Sequence, residues 1–222
     1  MSYVCGILAI LSAYLVGSIP TAYLMVRGLR GIDIRSVGSG NVGATNAARV
    51  LGFKFFPLIF LIDFAKGFVP TFVLPGVAAR LAGLDTIWPG LAVLIAVAAI
   101  LGHNFPLYLG FKGGKGVATS LGAVTALDPV ASLAAALAFA VFLVVTRIVS
   151  LSSILAALVF VMTYFGRVES PWSRDHATMS LATLALLVLL IARHRGNLAR
   201  LARGQEPRIR LRPPKHNSEP QP

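Results

Sequence analysis

The chain has 222 residues, 56% of them in the hydrophobic set and only 13% charged, with a formal net charge of +12. A soluble domain carries about 25% charged residues, so half that share is too little to coat a globule in water. The composition predicts a membrane protein and excludes a disordered chain, a collagen-like chain and a disulfide scaffold. The one cysteine, Cys5, lies in the first apolar run, where it reads as a small hydrophobe. A strongly basic balance raises nucleic-acid binding, but the Lys and Arg residues cluster between apolar runs, at 27–54, 112–115 and 193–215. That is the pattern of loops on one membrane face, and it argues against a nucleic-acid partner.

A bilayer core of about 30 Å takes about 20 apolar residues as a helix. The first run, 1–26, has no charge before Arg27 and shows neither the basic start nor the cleavage site of a signal peptide, so it is expected to be retained, with a kink at Pro20. Further spans are predicted at about 55–74, which contains Asp63 and Lys66, within 88–109, at 117–127, at 130–146, at 149–166 and at 177–192. The run 117–127 is short, and parity decides how it is read. With seven transmembrane helices and the N-terminus outside, segments 27–54, 103–116, Arg147 and 193–222 face the cytoplasm and hold sixteen of the twenty Lys and Arg residues. A re-entrant 117–127 would send the tail cations outside, against the positive-inside rule. The expected architecture is an all-α integral membrane protein with a cytoplasmic C-terminus: one seven-helix domain over 1–206, and a basic, Pro-rich tail over 207–222 that is expected to be disordered.

Three segments on the expected cytoplasmic face have a composition unlike ordinary loops. The first is Gly38-Ser39-Gly40-Asn41-Val42-Gly43-Ala44-Thr45-Asn46-Ala47-Ala48-Arg49. Small residues admit a ligand close to the backbone, and a helix opening here would aim its N-terminal N–H groups at an anion; a capped connector helix ending at Gly52 is the plainer reading. The second runs Gly102-His103-Asn104-Phe105-Pro106, then Gly110-Phe111-Lys112-Gly113-Gly114-Lys115-Gly116. It lacks the spacing and the Ser/Thr of a P-loop. Its lysines and glycines still suit phosphate as an N–H nest, while a flexible turn with topological lysines would leave His103-Asn104 unexplained. The third is Arg193-His194-Arg195-Gly196-Asn197-Leu198-Ala199-Arg200-Leu201, then Gly204-Gln205-Glu206. If the last helix continues past the interface, Arg193, His194, Asn197 and Arg200 share one face. Arginines that stop transfer or meet anionic lipid would account for part of this. Asp63 and Lys66, at i,i+3 within a span, read equally as a functional pair or as a structural one.

Together these segments resemble the three motifs of the bacterial membrane glycerol-3-phosphate acyltransferases that use acyl-phosphate as donor, the PlsY family. The matching pieces are Gly38-Ser39-Gly40-Asn41 with Gly43-Ala44-Thr45-Asn46 and Arg49; Gly102-His103-Asn104-Phe105-Pro106 with Lys112-Gly113-Gly114-Lys115-Gly116; and Arg193-His194 with Asn197, Arg200-Leu201, Gly204 and Glu206. Asp63, Lys66 and Gly67 also fit a family pattern.

The resemblance implies acyl transfer from acyl-phosphate to the 1-hydroxyl of sn-glycerol 3-phosphate, giving lysophosphatidic acid and phosphate, the first step of phospholipid synthesis. It places the reaction at the inner face of the bacterial cytoplasmic membrane. No cofactor is expected, and no metal either, since the eight acids form no obvious metal cluster. The implied partners are the two substrates, membrane lipid and an upstream enzyme that forms the acyl-phosphate. By the same resemblance Ser39, Arg49, Lys112, Lys115, His194 and Asn197 would bind glycerol 3-phosphate, with Asn41, Thr45, Asn46, Asp63 and Lys66 lining the site. Gly113, Gly114 and Gly116, with His103 and Asn104, would hold the acyl-phosphate. His194, Lys115 and Asn197 are the catalytic candidates. An acyl-phosphate is already activated, so no covalent acyl-enzyme is expected, and the donor's own phosphate oxygen shares the role of base with His194 or takes it over. A transporter of phosphate esters is the competing class, although its determinants should lie near the midplane with internal repeats.

Overall fold

Proline 20 sets the first feature of the architecture. The computed structural model describes residues 1–85, 88 and 90–209, and in it α1 (Ser2–Ser18) ends two residues before that proline while α2 (Thr21–Arg30) begins just after it. The ring has no N–H to continue the ladder, so the long apolar run is broken just before the first polar segment. Beyond α2, which stops at Gly31 in a left-handed turn, come α3 (Ala44–Leu51), α4 (Phe56–Ala82), α5 (Gly90–Asn104), α6 (Val117–Leu127), α7 (Pro129–Thr146), α8 (Val149–Arg167), α9 (Ala177–Arg193) and α10 (Arg195–Ala202). Pro129 stands at the first position of α7, and the Asp128 carboxylate accepts from the Ala131 N–H at 3.0 Å to cap it.

Length and apolar composition qualify five helices or helix pairs as candidate membrane spans, and six if α9 and α10 count as one across a 57° bend. The eleven residues of α6 rise only about 16 Å, short of the roughly 30 Å that a crossing needs. By length and composition, five or six of the seven expected spans qualify among the described residues, and α6 is the short one. The helix boundaries themselves fall within a residue or two of expectation from α6 to α9; α5 lies inside the expected 88–109 but stops at Asn104, and α4 runs eight residues further than predicted, to Ala82, through Pro70 and Pro75. The proposed tail of 207–222 lies outside the described residues from 210 onward.

Paired glycines hold one side of the bundle together. A Cβ at Gly17 of α1 would strike the backbone carbonyl of Ala99 in α5, and one at Gly102 of α5 would strike the Tyr14 carbonyl in α1. The α4–α6 contact repeats this: Gly67 lies against the Thr119 carbonyl and Gly122 against the Phe64 carbonyl. Apolar helices in lipid associate through such close backbone approach, because the surrounding hydrocarbon offers no hydrophobic gradient. Tyr14 adds a hydrogen bond from its hydroxyl to the Phe105 carbonyl at 2.7 Å. The α7–α8 hairpin and α9 complete the bundle.

Candidate active site

The first polar segment is held in shape by a buried asparagine. Asn46, 1% exposed, donates to the carbonyls of Ile34 (3.3 Å) and Val37 (3.1 Å) and accepts from the Ser39 N–H (3.0 Å). Gly38, at φ +60°, packs so tightly on this amide that a Cβ would collide with it. Asn46 is therefore the organiser of the loop, and it presents Ser39, Asn41 and Thr45 to a polar cavity of about 430 Å³ that Arg49 also borders. That cavity is closed by residues of the other two segments, among them His103, Lys115, His194, Asn197, Arg200 and Glu206.

A chain of side chains crosses the cavity wall. The Lys115 ammonium donates to the Asn197 carbonyl oxygen, whose amide nitrogen donates to Glu206 Oε1 at 2.5 Å. Glu206 also accepts from the Ser150 hydroxyl (2.7 Å) and from Arg200 Nε (2.8 Å), so its side chain, 6% exposed, is fully engaged. Burial alone would raise the Glu206 carboxyl, but its hydrogen bonds to Asn197, Ser150 and Arg200 leave it below the usual range and ionised. Burial pushes the Lys115 ammonium down to about 8, against the pull of Glu206. Among the described residues neither Lys115 nor Arg49 has a carboxylate in ion-pair contact.

His194 stands at the bend between α9 and α10, 1% exposed. Its Nδ1 lies 2.8 Å from the Leu190 carbonyl, which can only accept, so Nδ1 carries the proton and Nε2 keeps its lone pair. Burial and the Lys115 charge push this imidazole down to about 4, so it is neutral at pH 7. The bend also corrects the expected continuous helix face: α9 does not run on past Arg193, and the cations flanking His194 have separate tasks. Arg193 donates to the carbonyls of Gly113 (2.9 Å) and Gly114 (2.7 and 3.1 Å) and stacks on Phe105, fastening the second segment rather than lining the cavity.

The glycines of that segment serve close packing first. A Cβ at Gly113 would strike the His103 carbonyl and the Pro106 ring, and one at Gly114 would strike the His103 ring and the Val42 carbonyl. The Gly114 N–H is taken by the His103 carbonyl at 3.1 Å, which removes it from any N–H nest. Gly113, Gly114 and the buried Asn104 consequently lie behind the cavity wall, and Lys112 is exposed to one side of it. Gly116, at φ +77°, caps α6 at the cavity and leaves the first N–H groups of that helix facing it. The N-terminus of α3 reaches the same cavity through Gly43, Ala44 and Thr45.

Asp63 reaches the cavity from α4, whereas Lys66 does not. The Lys66 ammonium lies 2.9 Å from Asp63 and donates to the Ile19 carbonyl at 2.8 Å. Ile19 is at the break made by Pro20, so the pair ties α4 to the α1–α2 junction, which is the structural one of the two readings. His103 sits 3.9 Å from Asp63 and 3.2 Å from the Thr119 hydroxyl.

Adjoining the polar cavity is an apolar one of about 370 Å³, walled by α4 to α9. Phe60, Val117, Phe139 and Ser153 border both. A family model described as glycerol-3-phosphate acyltransferase matches residues 7–204. The chain belongs to the glycerol-3-phosphate acyltransferase family. It is 42% identical over 208 residues to the glycerol-3-phosphate acyltransferase of Anaeromyxobacter sp. (strain Fw109-5), covering 94% of this chain and 98% of that protein. With the corresponding protein of Synechococcus elongatus it shares 44% over 204 residues, 90% of this chain and 92% of the other. Among solved structures it is similar to PlsY, an integral membrane glycerol 3-phosphate acyltransferase, in the glycerol 3-phosphate form (TM-score 0.79, 37% identity, 92% of this chain and 96% of that one). The lysophosphatidic acid form gives a TM-score of 0.76 at 36% identity, over 92% of this chain and 95% of that one. This chain is thus a multi-pass membrane acyltransferase, and its three polar segments meet in one place.

Three residues of this site carried no individual signal in the sequence. Ser150 lies 56 positions from the Glu206 it bonds, and Phe60 and Phe139 stand in ordinary apolar runs. Glu206 was visible only as part of the third segment; its engagement with three partners emerges from the fold.

Proposed function

We propose that the protein transfers a fatty acyl group from acyl-phosphate to the 1-hydroxyl of sn-glycerol 3-phosphate at the cytoplasmic face of the bacterial inner membrane, releasing lysophosphatidic acid and phosphate. The observation that carries this is the junction of the two cavities. A cationic, hydrogen-bonding chamber suited to phosphate opens into an apolar one suited to an acyl chain, and the shared wall at Phe60, Val117, Phe139 and Ser153 is where a carbonyl between the two would lie. In this reading Arg49, Lys115, Ser39 and Asn197 hold glycerol 3-phosphate. The α6 N-terminus and Lys115 face the donor's phosphate and its developing oxyanion.

The chemistry balances without a protein nucleophile. The glycerol 1-hydroxyl oxygen bonds to the acyl carbon, the carbon–oxygen bond to phosphate breaks, and the hydroxyl proton passes to the departing phosphate. His194 supports this assignment of the base. Its unprotonated Nε2 can accept a hydrogen bond from the substrate hydroxyl and orient it, but an imidazole pushed down to about 4 is a poor proton acceptor at pH 7.

The reading keeps a cytoplasmic polar cavity, an external N-terminus and α6 as a short seventh transmembrane element, supported by the sixteen cations on the cytoplasmic segments. Purified protein should release phosphate from palmitoyl-phosphate only when glycerol 3-phosphate is added, with lysophosphatidic acid formed in equal amount. Phosphate release that ignores glycerol 3-phosphate, or acyl transfer supported only by a thioester donor, would break the assignment.

A further inference from the structure

We propose that the apolar cavity is a blind acyl-chain ruler, and that Phe160 and Met179 form the floor that sets the longest donor chain accepted. The inference rests on the acyl-transfer reading above and deepens it by naming what selects the acyl group.

Helix directions order the lining residues by depth. Helices α6 and α8 begin at the polar cavity, while α5, α7 and α9 end there, as their shared or neighbouring lining residues require. The mouth is therefore Val117, Phe139, Ser153 and Leu190. About one turn deeper, the facing helices α7 and α8 contribute only small residues, Ala135, Ala136, Ala156 and Ala157, while α6 and α9 line the same level with Leu121, Leu186 and Leu187. Alanine at all four positions leaves width for a polymethylene chain. Deeper again the side chains become large, with Leu127 on α6, Phe160 on α8 and Met179 on α9.

The deep end is closed. Phe160 is 7% exposed and packs with Ala131, Tyr164 and Met179. Behind it the Tyr164 hydroxyl lies 3.0 Å from the Ser180 hydroxyl, which donates to the Pro171 carbonyl at 2.7 Å. This latch holds the α8–α9 connection across the end of the cavity, and it backs the phenyl ring with a hydrogen-bonded plug instead of lipid.

Depth gives the expected length. From Leu190 to Met179 helix α9 rises about 16 Å, from Val117 to Leu127 helix α6 rises about 15 Å, and from Ser153 to Phe160 helix α8 rises about 10 Å. A zigzag chain with C–C bonds of about 1.5 Å advances about 1.3 Å per carbon. About 8 carbons then fit above Phe160 and about 12 above Met179, so with the carbonyl end above the mouth the floor suits a donor of about 10 to 16 carbons. A membrane lipid could also enter an apolar cavity, but it would place no length limit on the donor.

The test is the ratio of kcat/KM values across saturated acyl-phosphates of 10 to 18 carbons, measured on the full chain in detergent or nanodiscs. Because a ratio is read within one preparation, a lower folded fraction does not distort it. Ala157→Phe raises the floor by about one helical turn, or about four carbons, so the 16-carbon to 10-carbon ratio should fall about tenfold or more. Phe160→Ala deepens the cavity and should move the optimum about two to four carbons longer. Variants that keep the wild-type chain-length profile, or a Phe160→Ala profile that moves shorter, would overturn the ruler alone. A wild-type protein that turns over no acyl-phosphate of any length would instead overturn the donor assignment, and the ruler with it.

Discussion

The two sides of this bundle are built from similar apolar residues and packed in opposite ways. On one side, α1 against α5 and α4 against α6 approach so closely that each interface needs a glycine on both helices: Gly17 with Gly102, and Gly67 with Gly122. On the other, α7 and α8 face each other through alanines and, with α9, leave a cavity of about 370 Å³. The close-packed side positions the polar segments, since α3 follows from the break that Lys66 fastens and α6 begins at the Gly116 cap. The hollow side provides room for an apolar ligand. Glycine opposite a backbone carbonyl closes space, and alanine opposite alanine leaves it open.

The largest test of that contrast is steric. Gly122→Leu would drive its side chain into the Phe64 carbonyl, a backbone atom that cannot swing away, so a loss of at least about 3 kcal/mol, seen as loss of the monodisperse peak on size exclusion, is expected. Ala136→Leu adds similar bulk where the wall borders empty space and should change stability by less than about 1 kcal/mol in the same assay. Comparable damage from both substitutions would erase the distinction between the two sides.

At the seam between them, Lys115 is the sensitive group. It lies just before α6 and donates to Asn197 beyond the bend in the last span. Its ammonium, lowered to about 8 by burial, is complete below that pH and lost above it. Since kcat/KM reports the free enzyme, its pH profile should show an alkaline fall near 8. Lys115→Arg should shift that limb to higher pH, because guanidinium does not titrate in the range. Lys115→Met should lower kcat/KM by about 100-fold or more. An unchanged alkaline limb in the arginine variant would assign the fall to another group. No acid limb from His194 is expected above about 5, as its imidazole is held down to about 4.

The smallest effect lies at the far end of the hollow side. There Arg167 donates to Asp128 at 2.9 and 3.1 Å, tying the end of α8 to the start of α7. Asp128→Asn keeps the cap on the Ala131 N–H and loses only a partly exposed ion pair, so a change of about 0.5 kcal/mol is expected in thermal unfolding. A loss several times larger would mean that the open hairpin depends on this tie.

How far the site could be read in advance varied with the kind of information each residue carries. Helix limits were legible because hydropathy, Pro20, Pro129 and the run 117–127 act over a few neighbouring residues. The convergence of the three polar segments was legible as well, from their shared membrane face. The tasks of individual cations were not. Lys112 and Lys115 are three positions apart in one glycine-rich segment, yet one is exposed and the other lines the cavity. Arg193 and Arg200 flank His194 in a plausible anion-binding pattern, but one holds the Gly113 and Gly114 carbonyls and the other holds Glu206. Gly113 and Gly114 looked like a phosphate cradle, and close packing on His103 accounts for them.

By itself the amino-acid sequence determined the solvent this protein lives in, the positions of its helices and the presence of three polar, cation-bearing segments between them. These are local properties, written in runs of about 10 to 25 residues against a hydrocarbon core of fixed thickness. The tertiary structure alone decided which cations face the cavity, that Glu206 braces Asn197, that Lys66 serves the break at Ile19, and that Phe160 lines the apolar cavity. Each of those depends on atoms far apart in the chain meeting within hydrogen-bonding or van der Waals distance. Such meetings are fixed by how closely the helices pack, and therefore by glycines whose importance shows only when the partner backbone is in place.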